Sequence, residues 1–156
     1  MNETVNLWKP EYLLDIDSID EQHKGFFDIC LKSAMLCESA RNKPIKLSDV
    51  IHLIYDMRAY AFKHFHTEET LLLKYAYPRI YGHISQHDIF LRSLQEFTAA
   101  LQAELVKAEK AGPEGFLACA KHINDYLTNW WGEHILTADQ DYAQFLREQK
   151  GHKPQD

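Results

Sequence analysis

Little in this chain makes tight turns, staples or membrane spans. Glycine and proline are scarce, six and five in 156 residues, and fall where helices should begin or end. There is no internal repeat, low-complexity tract or linker, and the length suits one domain with a full core and is short for two. The three cysteines, Cys30, Cys37 and Cys119, have no Cys-x-x-Cys spacing and lie within apolar helical patterns. They read as buried free thiols of a reducing cytoplasm. No apolar run approaches transmembrane length, and the start, Met1 to Pro10, lacks the apolar stretch of a signal peptide. Positive charge is also short. The formal charge is −6, with Lys and Arg scattered among acids. Without a basic stripe, neither nucleic acid nor an anionic membrane is an expected partner.

Histidine, by contrast, is abundant at nine residues. Their places follow from the helices around them. After an irregular N-terminal arm carrying Trp8 and Tyr12, Ser18-Ile-Asp-Glu21 reads as a capping box opening a helix over about 18–40. Asn42-Lys-Pro44 breaks the pattern. Ser48-Asp49 then caps a second helix running to about Tyr75, and Pro78 suits the first turn of a third, reaching about Ala111. Gly112-Pro113 stops that one, and a fourth extends from about Glu114 towards Gln149. Four long helices with short joins predict an all-α, antiparallel up-down-up-down bundle over 1–150. Residues 151–156 follow as a polar tail or the start of a linker.

Steps of four and three trace an apolar seam on each helix. The second helix offers Val50, Ile54, Met57, Ala61, His64, Glu68 and Leu71; the third offers Ile80, His83, His87, Phe90, Leu94, Phe97 and Leu101. The first contributes Ile19, His23, Phe26 and Cys30, the fourth Phe116, Cys119, Ile123, Leu127, Trp130 and His134. Every seam is interrupted by His or Glu. In an antiparallel bundle, at a rise of ~1.5 Å per residue, all the interruptions fall at one end. Burying one unpaired polar group costs roughly 2–7 kcal/mol, so a common partner is the economical explanation. A lone seam histidine is more often a satisfied core residue, but four helices broken at one level point to a metal.

The spacings agree. His64-x-x-x-Glu68 and His83-x-x-x-His87 are i,i+4 pairs on one helix face. His134 and Asp139 are five apart, which at ~100° per residue puts them ~140° out of line in a regular helix. Asp139 joins only if the helix bends or bulges between them, for instance as a π-bulge. Five imidazoles and two carboxylates, with no thiolate, are too many ligands for one tetrahedral zinc. Imidazole with carboxylate suits iron, among other metals. Two octahedral ions bridged by both carboxylates and an oxo or hydroxo group would keep one position open for a small ligand.

Asp20-Glu-Gln-His23-Lys, His64-Phe-His-Thr-Glu68-Glu69, His83-Ile-Ser-Gln-His87 and His134-Ile-Leu-Thr-Ala-Asp139 with Tyr142 resemble the hemerythrins, bacterial members especially. The resemblance runs from Trp8 to Tyr142. It implies a centre of two non-haem iron ions, with His83, His87 and His134 on one and His23 and His64 on the other. Glu68 and Asp139 would bridge them, and the open position, beside a pocket formed by Trp131 and Ile135, would take dioxygen. It further implies that bound dioxygen takes up two electrons and a proton and leaves as dioxygen when those steps reverse. One departure stands out: bacterial members often read Trp-Leu-x-x-His-Ile where this chain has Trp130-Trp131-Gly132-Glu133-His134-Ile135. Trp131 changes the pocket wall and Gly132 loosens the helix there. The pair is expected to admit water and give a short-lived dioxygen complex.

His66 and Glu69 flank the ligands but face away from the seam, where surface roles or hydrogen bonds to ligands are expected. His52, His122 and His152 lie off the ligand level. Phe26, Phe27, Phe65, Phe90 and Tyr126 read as packing around the centre. The expected function is reversible dioxygen binding in an oxygen- or redox-sensing domain, with a signalling output domain fused C-terminally. The alternative is a stand-alone carrier or storage protein. A di-iron oxidase or peroxidase is the weakest reading, because those sites resemble Glu-x-x-His pairs and none occupies these seams. Any oxidase activity would be incidental.

Overall fold

The computed structural model describes residues 7–150, with the backbone only at 97, 101, 102, 104, 105, 108, 109, 111 and 150. A single 3-10 turn, Pro10–Tyr12, interrupts the N-terminal arm. The helices follow as α1 (Asp17–Ser39), α2 (Leu47–Lys74), α3 (Ile80–Ala111) and α4 (Pro113–His134). A π-helical turn, Ile135–Asp139, joins α4 to α5 (Gln140–Lys150) with helical backbone on both sides, so α4 and α5 make one interrupted rod. α1 packs on α2 and α4, and α3 on α2 and α4. The starts of α1 and α3 meet the far ends of α2 and α4, so direction alternates round an all-α four-helix bundle. Among the described residues there is no strand, and no helix is long and apolar enough to cross a membrane.

The expected helices all form, and the differences lie at their ends. Ser18 is not the N-cap of α1; Ile16 is. Asp20 does the work instead, accepting the backbone N–H of Leu14 at 2.8 Å and of Ile16 at 3.1 Å. Those donors are buried, and a carboxylate able to take both satisfies two groups that water cannot reach. Burial raises the Asp20 carboxyl pKa, while the two N–H bonds pull it back. In α2 the N-cap is Lys46, whose N–H donates to Asp49 Oδ2 at 2.9 Å. Pro78 lies just before α3 rather than in its first turn.

The seams are largely as expected, with three corrections. Leu72, not Leu71, is fully buried after Glu68. Trp131 is fully buried and Trp130 only half, so the apolar stripe of α4 drifts by one residue near its end. Ile80 and Phe116 are half-buried. The seam positions Phe97 and Leu101 have side chains outside those described; so does His152, with the whole 151–156 tail.

The core is in two parts. A long cluster fills the bundle, from Val50, Met57 and Cys119 to Phe26, Phe65, Phe90 and Trp131. A smaller one closes its end: Leu14, Ile16, Ile19, Leu72, Tyr77, Tyr142, Ala143 and Leu146. The N-terminal arm is therefore part of the lid. Gln140 Nε2 donates to the carbonyls of Glu11 and Leu13, and Arg147 to that of Leu14, pinning the arm to the fourth rod. The polar residues of the seams lie between the two apolar layers. Ile19 and His23, Glu68 and Leu72, and Asp139 and Ala143 are each one turn apart.

Candidate metal centre

His23 comes from the second turn of α1, His64 and Glu68 from the later part of α2, His83 and His87 from the start of α3, His134 from the end of α4, and Asp139 from the π turn. All seven are at most 4% exposed. They converge in two groups, Glu68 with His83, His87 and His134, and His23 with His64, Glu68 and Asp139. In each group one ligand atom per residue lies within 4.8 Å of all the others. Glu68 belongs to both. Its Oε2 is 3.1 Å from His87 Nε2, 3.3 Å from His83 Nε2 and 3.4 Å from His64 Nε2. Asp139 spans the groups with its two oxygens, Oδ2 at 3.2 Å from His23 Nε2 and Oδ1 at 3.2 Å from His134 Nε2.

The π turn is what brings Asp139 in. Five residues of regular helix would carry it away from His134, and widening the helix by one residue returns it to the same face.

Close as these atoms are, many make no hydrogen bond. Both ring nitrogens of His23, Nε2 of His64 and both oxygens of Asp139 are buried without a hydrogen-bond partner among the described residues. His87 Nε2 and His134 Nε2 stand 3.3 Å apart, a distance at which two imidazole nitrogens need a proton or a cation between them. One atom from each of His23, His64 and Asp139 meets the others at one interior place, where a cation would satisfy lone pairs left unpartnered. The electrostatics agree. Burial drives the His64 imidazole pKa down to about 3, the nearby Glu68 carboxylate only partly opposing it, so the ring is a neutral lone-pair donor. Burial works against ionising Glu68, but His64, His83 and His87 outweigh it and hold that carboxyl well below the usual range. At Asp139 burial and Glu68 push up, and His134 and His23 bring the value down to about 2.

Three side chains orient members of the cluster. Glu69 Oε1 accepts His87 Nδ1–H at 2.8 Å, the hydrogen-bonding role expected of Glu69. Gln22 Oε1 lies 3.0 Å from His64 Nδ1. The Tyr142 hydroxyl donates to Glu68 Oε1 at 2.5 Å, and burial together with Glu68 raises the phenol pKa well above its usual value. Nothing one-dimensional links Gln22 to His64, forty-two residues away, or Tyr142 to Glu68, seventy-four away. The sole hint was that Gln22 precedes a candidate ligand and Tyr142 follows another by one turn.

Aromatic rings fill the space on the long-core side. Phe65 stacks on His87 with centroids 3.8 Å apart, and Trp130 stacks on His134 at 4.5 Å. Trp131 stands 5.0 Å from the His64 ring, 6.4 Å from that of His23 and 4.0 Å from Phe26. Trp131 and Ile135 are wholly buried. Phe27 turns away, stacked on Tyr12 in the arm at 4.9 Å. The Trp131 side chain itself has no exposed surface. A Cβ on Gly132 would lie 3.3 Å from the Tyr12 hydroxyl, so that glycine admits the arm rather than loosening the helix. His52, His66 and His122 are exposed, away from the seven.

A four-helix bundle with a buried, carboxylate-spanned histidine cluster defines a class, the helical proteins that hold cations in their core. Residues 14–146 match the Hemerythrin HHE cation binding domain, and the chain belongs to the hemerythrin family. It is 27% identical over 136 residues to a bacteriohemerythrin of Clostridium acetobutylicum, covering 87% of this chain and 97% of that one. It is 26% identical to bacteriohemerythrins of Stenotrophomonas maltophilia, over 88% of this chain and 78% of that one, and of Pseudomonas aeruginosa, over 90% and 81%.

Proposed function

We propose that this protein binds dioxygen reversibly at two non-haem iron ions, one held by His83, His87 and His134 and the other by His23 and His64, with Glu68 and Asp139 shared between them. The observation that carries the reading is the pair of four-residue groups meeting at Glu68, several of their ligand atoms otherwise unpartnered. An iron pair of this kind supplies the electrons that dioxygen takes up on binding and returns on release. The chain's own residues hold the ligands still, through Glu69, Gln22 and Tyr142, and keep water out. Trp131 and Ile135 form the wall beside His23 and His64. The indole N–H of Trp131 is buried without an acceptor among the described residues. As in the oxygen-binding hemerythrin family, we read it as a binding protein whose oxidase activity, if any, is incidental. Its three free thiols suit the cytoplasm.

Within that chemistry two uses divide on how long the dioxygen complex lasts. A buried Trp131 and a Gly132 filled by Tyr12 favour a dry wall and a long-lived complex, the property of a carrier or store. The sensing role, with an output domain C-terminal to this chain, is the reading that a water gap at Trp131-Gly132 would favour. The 151–156 tail lies outside the described residues. The test of the shared reading is elemental analysis with optical titration. Purified protein should hold two irons per chain, and reduced protein should gain a visible band with dioxygen and lose it under argon. One zinc and no iron per chain would end the di-iron reading.

A further inference from the structure

The two groups of ligands are held by different chemistry. Thr67 hydroxyl donates its hydrogen to the Lys63 carbonyl at 2.9 Å, which leaves its oxygen as an acceptor. Gln22 Nε2 donates to that oxygen at 3.1 Å. The amide of Gln22 is therefore turned one way round, with Oε1 facing His64 Nδ1. An amide oxygen can only accept, so His64 must carry its proton on Nδ1. Nε2 is then a bare lone pair, and it is this atom that is buried without a hydrogen-bond partner, 3.4 Å from Glu68 Oε2. The backbone of Gln22 is held as well. Tyr60 hydroxyl donates to its carbonyl at 2.8 Å, an approach open only because residue 25 is glycine; a Cβ there would fall 2.1 Å from the hydroxyl oxygen. On the other side of the centre, His87 Nδ1–H meets not an amide but the carboxylate of Glu69.

We infer that Gln22 is a positioning residue that sets the His64 tautomer and, by offering an amide where Glu69 offers a carboxylate, adds to the inequality already created by two imidazoles on one ion and three on the other. An imidazole hydrogen-bonded to a carboxylate is the more basic ligand and favours a more highly charged ion. One bonded to an amide is correctly oriented without that gain. The ion beside His23 and His64 is thereby the more weakly held and the more readily kept reduced. This rests on the two-ion reading above and adds a residue beyond the ligands that widens the difference between the ions.

The experiment uses the full-length, iron-loaded protein and follows iron release to an excess of a ferrous chelator, together with the midpoint potentials of the centre. Wild type should release its iron in two phases. Gln22→Ala should speed the faster phase about 10–100-fold, the usual effect of losing an outer partner of a metal ligand, and leave the slower phase unchanged. Gln22→Glu restores an acceptor for Nδ1–H, so it should return the fast phase to the wild-type rate or below and lower the first potential. Thr67→Val, which frees the amide to turn over, should speed the fast phase by a smaller factor and provides the same test if Gln22→Ala does not fold. Equal acceleration of both phases, no change in either, or Gln22→Glu behaving like Gln22→Ala would overturn the inference. Wild-type protein with no pair of ions would instead overturn the reading it rests on.

Discussion

A histidine buried at 0–4% exposure is an expensive residue unless something answers its lone pair, and five of them share one interior space. Their roles differ in a testable way. His64→Ala removes one of only two imidazoles on the ion assigned to dioxygen, while His83→Ala removes one of three on its partner. We expect His64→Ala to abolish the dioxygen-induced visible band and to bring iron content towards one per chain. A normal band from that variant would mean the open position has been assigned to the wrong ion. Trp131 poses the complementary question. Replacing it by Leu removes the indole from a fully packed wall, opening space beside His64 and His23 and destabilising the fold by roughly 1–3 kcal/mol. Water admitted there should shorten the life of the dioxygen complex several-fold, followed as decay of the visible band in wild type and Trp131→Leu. Unchanged or slower decay would show that Trp131 does not keep the site dry.

At the scale of an element, the π turn carries the most functional weight for its length. Ile135–Asp139 is five residues, yet it decides whether Asp139 faces His134 or the outside. Inserting one alanine after Thr137, an exposed position, should rotate Asp139, Tyr142 and Leu146 by ~100° about the helix axis. Asp139 would leave the metal groups, and Tyr142 would lose Glu68. The expected result is protein that keeps most of its helical circular dichroism but retains less than one iron per chain. Retention of both irons would show that the helix can absorb the insertion, and that the turn is not what sets Asp139.

For the whole molecule, the His/Glu/Asp cluster divides two apolar layers and takes residues from every main helix, so metal held there as proposed would add to the cohesion of the bundle. Without the proposed ions, seven buried polar groups face one another, with nitrogens of His87 and His134 at 3.3 Å. Metal binding to a site absent from the unfolded chain adds directly to folding free energy. A few kcal/mol moves the melting temperature of a domain this size by about 10 °C. The chelated protein should therefore melt at least about 10 °C below the loaded form by circular dichroism. Coincident melts would mean that the seven residues are reconciled with one another without metal.

Much of this was legible in one dimension. The 3.5-residue periodicity of His64, Glu68, His83 and His87 with their apolar neighbours reports a helix face directly, because face and spacing are linked by helix geometry. So does the misfit of His134 and Asp139, which called for a bulge that the fold contains. What depended on the third dimension was every relation between chain segments. That the capping acid of α1 is Asp20 follows from where the arm returns, not from the spacing of Ser18 and Glu21. Whether Gly132 loosens a helix or seats Tyr12 depends on a residue 120 positions earlier. The turning of Gln22 towards His64 rests on Thr67 and Tyr60, set on another helix. Local geometry is written in local sequence; a hydrogen bond or a wall between helices exists only once packing has chosen which faces meet.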